Sequence, residues 1–309
     1  MDVGFHPDGR GRLALAIGRT GENPAVAPAR AAARRQGLRR NVPAPDQPAR
    51  AGAEPPEAES RMTVFLHLWR REMDSFFRTS IAYVVGVFFL LITGFSFWML
   101  AAGLARGTTD GDMAGTLFGS PWFWLDMLIV TPLLTMRLFA EERRMGTLET
   151  LLASPVTETD VVLAKFAGAY SAFLLLWIPT LAYAAILKRC GAQLPPIDWG
   201  PVAAGYLGTA LVGAFFLSVG LLCSLLTRHQ IVAAMSCLGA LGVLLSGGLL
   251  PFHAHAEKIR QISRFFSAPV HMLDFAAGVI DTRAIVWYVS ATVLLLFLSV
   301  RILEARRLR

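Results

Sequence analysis

Apolar positions along this chain gather into six long runs, separated by short polar segments whose own apolar residues recur at helical spacing. The runs cover residues 81–104, 122–140, 161–187, 202–226, 231–250 and 284–300. A helix needs about 20 apolar residues to cross the hydrocarbon of a bilayer, and inside it a helix satisfies its own backbone groups. The pattern therefore predicts an all-α polytopic membrane protein with six transmembrane helices. The second run is interrupted by Asp126, Pro132 and Arg137, and the sixth is the shortest, so these two have the least distinct ends.

The polar segments carry patterns of their own. Ahead of the first run, "TVFLHLWRREMDSFFR" places Phe65, Trp69, Met73 and Phe76 on one face of a helix, with Arg70, Arg71, Asp74 and Arg78 elsewhere. Such a basic amphipathic helix suits the membrane interface, and it serves equally as a basic flank that orients the first span. Between the second and third runs lies "EERRMGTLETLLASPV". Met145, Leu148, Leu151 and Leu152 recur at i, i+3, i+6 and i+7, while Glu141, Glu142, Arg143, Arg144, Thr147 and Glu149 fill other positions around Gly146. A surface helix is expected over residues 141–153, stopped after Ser154 by Pro155, whose ring and missing N–H cannot continue the ladder. Thr157 and Asp160 then read as a capping box opening the third span. Between the fifth and sixth runs, Ile259, Ile262 and Phe266 mark one short helix, Pro269 breaks it, and a second apolar piece follows from Val270 to Ile280. Neither is long enough to span. In the fourth run, Ala210, Ala214 and Ser218 form one small-residue stripe and Gly205, Thr209 and Gly213 another; either can seat a neighbouring helix.

Composition sharpens this picture at the ends. Over half of the 309 residues are hydrophobic and 17% are charged, with a net charge of +7. Residues 1–61 hold ten of the 26 arginines, eight of the 17 prolines and no apolar run, which marks a disordered tail. Seven scattered acids argue against a transit peptide, and Met62 is an alternative start for the chain. With the N-terminus inside, twelve lysines and arginines flank the spans on the inner side and seven on the outer. The positive-inside rule then puts both termini in the cytoplasm.

Motifs for chemistry are missing. No GxxxxGK[ST] occurs, and none of the three lysines, Lys165, Lys188 and Lys258, follows a glycine-rich turn, so the chain does not hydrolyse ATP with a P-loop. HExxH and GxSxG are also absent. Cys190, Cys223 and Cys237 lie far apart and read as packing residues. His253 and His255, with His271 nearby, lack a third ligand at a recognised spacing, and no metal is expected. Asp126 is the one acid well inside a run; it lies about a turn from the outer end, where reaching toward water is the simplest account. The basic charge is spoken for by the membrane, and no nucleic-acid partner is implied.

The basic N-terminal helix, "SIAYVVGVFFLLITGFSF" and "FAEERRMGTLETLLASPVTETDVVLAKFAGAY" together resemble the permease subunits of ABC-2 type transporters. The closing "GVIDTRAIVWYVSATVLLLFLSVRILEARR" is similar to the branch associated with gliding motility and nitrous-oxide-reductase maturation. The resemblance runs over residues 62–309 as one transmembrane domain and rests most on Glu142, Gly146, Thr147, Glu149, Leu151, Leu152, Ser154 and Pro155. It implies a bacterial cytoplasmic-membrane permease that works with a second permease subunit and a separate ATP-binding subunit. ATP belongs to that partner, and no cofactor is expected in this chain. By the same resemblance, residues 141–153 match the family's coupling helix, the N-terminal helix its interfacial helix, and the two short outer helices its re-entrant pair. The residues alone leave a plainer reading open, a connector obeying the positive-inside rule, although Glu141, Glu142 and Glu149 do nothing for topology. They also leave open a membrane scaffold that recruits a partner without moving cargo.

Overall fold

The computed structural model describes residues 58–106, 113–147, 157–190, 198–253 and 257–307, and among these every element is helical. Helix α1 spans Ala58–Arg78, so it is already under way before Met62. Six helices are long and apolar enough to cross a membrane, over Ser80–Leu104, Pro121–Met145, Glu158–Tyr183, Trp199–Leu226, Gln230–Leu249 and Thr282–Arg306. The first is α2 (Ser80–Ala105). A short α3 (Met113–Phe118) precedes α4 (Pro121–Thr135), which is capped by Ser120, with Pro121 in the first turn where its missing N–H costs nothing. After a turn over residues 136–139 the chain re-enters a helix in α5 (Ala140–Met145).

The third span is α6 (Glu158–Trp177), a 3₁₀ turn at Ile178–Thr180 where Pro179 interrupts the ladder, and α7 (Leu181–Cys190). Its N-terminus is capped as expected: Thr157 Oγ1 accepts from Asp160 N at 3.3 Å and donates to the Asp160 carboxylate at 2.6 Å. The fourth and fifth spans are α8 (Trp199–Leu226) and α9 (Gln230–His253). The outer pair is α10 (Glu257–Phe266) and α11 (Ala268–Ala276). Pro269 opens α11 instead of breaking a longer helix, with Ser267 as its cap. The final span, α12 (Thr282–Arg307), is longer than its apolar run because its last two turns are polar.

Alternation of six spans gives the bundle two ends. α1, α5, the turn at residues 227–229 and the end of α12 share one, called here the base; α3, α10 and α11 share the other. α8 is the axis: it packs against the second, third, fifth and sixth spans and is the most enclosed of the six. Its glycine stripe makes this possible. A Cβ on Gly213 would sit 2.2 Å from the Phe173 ring, so only glycine admits α6 at that distance. In lipid, where no hydrophobic force drives helices together, such close approach supplies the packing energy. The stripe of Gly205, Thr209 and Gly213 therefore faces the bundle, and Ser218 is buried there too. The first, fifth and sixth spans turn most of their apolar surface outward.

Candidate functional site

The base of the bundle is organised around Lys165, two turns into α6. Its side chain is only 3% exposed, and Nζ lies 2.7 Å from Glu142 Oε1 of α5 and 3.0 Å from Glu72 Oε1 of α1. The ammonium also stands 5.4 Å from the centroid of the buried Phe139 ring. Arg71 reaches the same two carboxylates, at 3.2 Å and 3.9 Å. A buried lysine is tolerated only when paired, and here two carboxylates from two other helices share it. One ammonium thus ties α1, α5 and α6 together.

Local sequence explains how these groups meet. α1 buries a stripe at helical spacing that includes Phe65, Leu68, Trp69, Glu72, Met73 and Phe76, each half-buried. It lies along α6, where Trp69 Nε1 donates to Ser171 Oγ at 3.1 Å. Gly168 allows the approach, since a Cβ there would be 2.9 Å from Glu72 Cβ. Arg70 is exposed. The helix expected to lie flat in the interface therefore has its apolar stripe seated at least partly on the third span.

α5 is held from the other side by α8. Ser224 Oγ accepts from Phe139 N at 3.1 Å and Ala140 N at 3.2 Å, and donates to Met136 O at 3.2 Å. The serine so satisfies the backbone where α4 stops and α5 begins. Arg143 Nη1 donates to Leu225 O at 2.9 Å and Thr227 O at 3.1 Å, the last carbonyls of α8. Arg137 pairs with Glu141 one turn on, at 3.2 Å.

Glu142 and Arg143 point into the permease, and Glu141 is engaged with Arg137, so three of the four leading charges are used within the chain. Arg144, Met145 and Thr147 are exposed, Met145 at 62%. The expected helix is also interrupted: the chain turns at Gly146 and is helical again at Thr147, where the described residues stop. Gly146, at φ 71°, ends α5 with a left-handed cap, its N–H donating to Glu142 O. Reading one period across that glycine hides the interruption. Leu148, Glu149, Leu151, Leu152, Ser154 and Pro155 lie outside the described residues, as does His255.

Sequence reasoning missed Glu72, Lys165 and Ser224. Two of them left a signal: Glu72 stands three residues after Trp69 and four before Phe76, on the apolar stripe, and Lys165 is the one lysine in the body of an apolar run. Asp126 requires a correction. It is 1% exposed among Phe123, Met127 and Val130 on the bundle face of α4, and its Oδ1 has no hydrogen-bond partner. The short aspartate side chain on that face cannot reach water, so it does not extend to the surface as expected.

A cavity of about 380 Å³ opens beside Lys165, walled by α1, the start of α2, the end of α4, α5 and α6. Among the described residues no group of three or more histidine, cysteine or carboxylate side chains is placed to hold a metal. The charged side chains of the site pair across helices.

The family model described as ABC-2 family transporter protein matches residues 104–301, more than half of the chain. The matched region contains Glu142, Lys165 and Ser224 but not α1 and Glu72. No curated protein matches the sequence.

Proposed function

The chain belongs to the ABC-2 family of transporter proteins, and from that premise we propose that its base receives the push of a separate ATP-binding subunit and passes it to the membrane path. It is a multi-pass permease subunit of an ABC transporter and is not itself the ATPase; the family implies the ATP-binding partner. In this reading the partner docks on the segment from Arg144 through residue 153, where Arg144, Met145 and Thr147 are exposed. ATP is bound on that partner, and this chain carries no cofactor.

The observation that carries the proposal is the shared Lys165. A ligand or partner shifts a conformational equilibrium only through contacts that differ between two states. Docking that displaces α5 pulls Glu142 against Lys165, and through it Glu72, so that α1 and α6 move with α5 or the pairing breaks. Helix shifts of this kind have two discrete arrangements because packed charges do not deform continuously. Both termini then lie in the cytoplasm of a bacterial cell, consistent with the lysine and arginine balance. A second permease subunit completes the path, and the outward apolar faces of the first and fifth spans are available for it. The closing stretch is the reason to place the chain in the gliding-motility and nitrous-oxide-reductase-maturation branch.

The test is co-expression with the ATP-binding subunit encoded nearest the gene. Arg144→Glu with Met145→Glu is expected to abolish co-purification while membrane insertion persists. Lys165→Met with Glu72→Gln and Glu142→Gln is expected to retain binding but to lose the ATP-dependent distance change between spin labels on α1 and α12. Undiminished co-purification of the first variant overturns the docking surface. A wild-type complex that binds but shows no ATP-driven distance change supports the scaffold instead.

A further inference from the structure

We propose that the cavity beside Lys165 is a binding site for the headgroup of a phospholipid bearing a primary ammonium and a phosphate. The inference concerns a lipid; it shares Lys165, Glu72 and Glu142 with the proposed coupling junction but does not rest on that reading. Its first support is placement. One wall is apolar, made by Ile81 and Ala82 at the start of α2 and Leu133 and Leu134 near the end of α4. Both are base ends of spans, which is headgroup depth. The remaining wall is charged and turns toward the aqueous side.

The second support is the charge of the lining. Arg71, Arg137 and Lys165 face Glu72, Glu141 and Glu142 across the same space. Three cations balance three carboxylates, so an anionic or cationic ligand would leave one charge in excess in a partly dehydrated site. A ligand that is neutral overall and carries both signs leaves none. The volume of about 380 Å³ lies within the range of small-ligand pockets.

The third support is unused hydrogen-bonding capacity on both sides. Glu142 Oε2 is buried and accepts from no donor, and Arg137 Nε is buried and makes no hydrogen bond, its 3.2 Å approach to Glu141 Oε2 being an ion pair only. Buried polar atoms in native structures normally have partners. An ammonium N–H answers Glu142 and a phosphate oxygen answers Arg137, with the exposed Arg71 as a second phosphate donor. A quaternary ammonium has no N–H to offer Glu142, and a glycerol headgroup has no cation for it at all. The acyl chains then run along Ile81 and Leu133 into the bilayer.

The experiment is native mass spectrometry of the full chain in detergent, supplied with equal amounts of phosphatidylethanolamine, phosphatidylcholine and phosphatidylglycerol. Preferential retention of phosphatidylethanolamine is expected. Arg137→Gln should weaken that retention about tenfold, the cost of one hydrogen bond to a charged group. Glu141→Gln should weaken it less, and Arg301→Gln, a surface change elsewhere on α12, should leave it alone. Equal retention of the three lipids on unmodified protein overturns the proposal, as does wild-type selectivity in both cavity variants. Displacement by soluble phosphoethanolamine at the lipid's own concentration overturns the lipid assignment, because the apolar wall would then contribute nothing.

Discussion

The two ends of the bundle are held together by different physics. At the base, three helices meet on the buried charges of Lys165, Glu72 and Glu142. At the opposite end, Trp177 sits among aromatic edges, 5.1 Å from Phe89 and 5.7 Å from Phe123. Around it hydroxyls pair with one another, Thr180 with Tyr206 at 2.7 Å and Thr93 with Tyr183 at 3.3 Å. Aromatic and van der Waals contacts weaken gradually as partners separate. A buried ion pair is satisfied or it is not, because an unpaired charge in a dehydrated site is far costlier than a loosened ring contact. The base is thus suited to switching between arrangements and the opposite end to staying put.

The sharpest way to break this contrast is to unpair the base. Lys165→Met leaves the two carboxylates with only the exposed Arg71 as a cation and should cost about 3 kcal/mol, seen as a large drop in thermal denaturation temperature in detergent. The triple neutral variant with Glu72→Gln and Glu142→Gln should recover much of that loss, since replacing a whole buried charge network is often close to neutral. Failure of the triple variant to recover would show that packing, not charge, holds the base. Along the axis, Gly213→Ala forces a methyl group against the Phe173 ring and should cost about 1–3 kcal/mol in the same measurement. At the opposite end, Thr180→Val removes one hydroxyl pairing with Tyr206 and should cost about 1 kcal/mol.

The smallest effect concerns pH at His271 on α11, outside the six spans. Burial holds its imidazole below the ordinary 6.5, against the upward pull of Asp274 and Asp281, with Tyr288 OH at 3.3 Å from Nδ1. The unfolded chain therefore takes up the proton first as pH falls. Stability is full above the unfolded value and declines below it toward the folded one. Melting temperatures compared at about pH 7.5 and about pH 5.5 should show a fall that His271→Gln removes. An equal slope in both proteins would assign the pH dependence to other groups.

Much of the fold was legible from local pattern. The six runs, the Thr157 and Asp160 cap, the amphipathic α1 and the two outer helices each declare themselves within a few turns of sequence. What stayed hidden depends on contacts between distant segments. Glu142 and Arg143 read as a charged face for a partner subunit because their partners within the chain are Lys165, a span later, and carbonyls at the end of α8, more than 80 residues away. Ser224 is an ordinary helix residue until the backbone of Phe139 and Ala140 arrives beside it. Asp126 has no sequence feature that tells the bundle side of α4 from the lipid side. Gly146 was visible as a residue, but its left-handed φ is set by the cap it completes.

Ser224 fixes the geometry of the corner between α4 and α5. With one hydroxyl it closes the backbone on both sides of the break between α4 and α5, which makes that corner a fixed elbow and not a swivel. Together with the Arg143 and Glu142 attachments it gives α5 a three-point mount, leaving no axis about which the helix can turn alone. Torque applied near Met145 has nowhere to dissipate locally and arrives at α8, the most enclosed of the six spans.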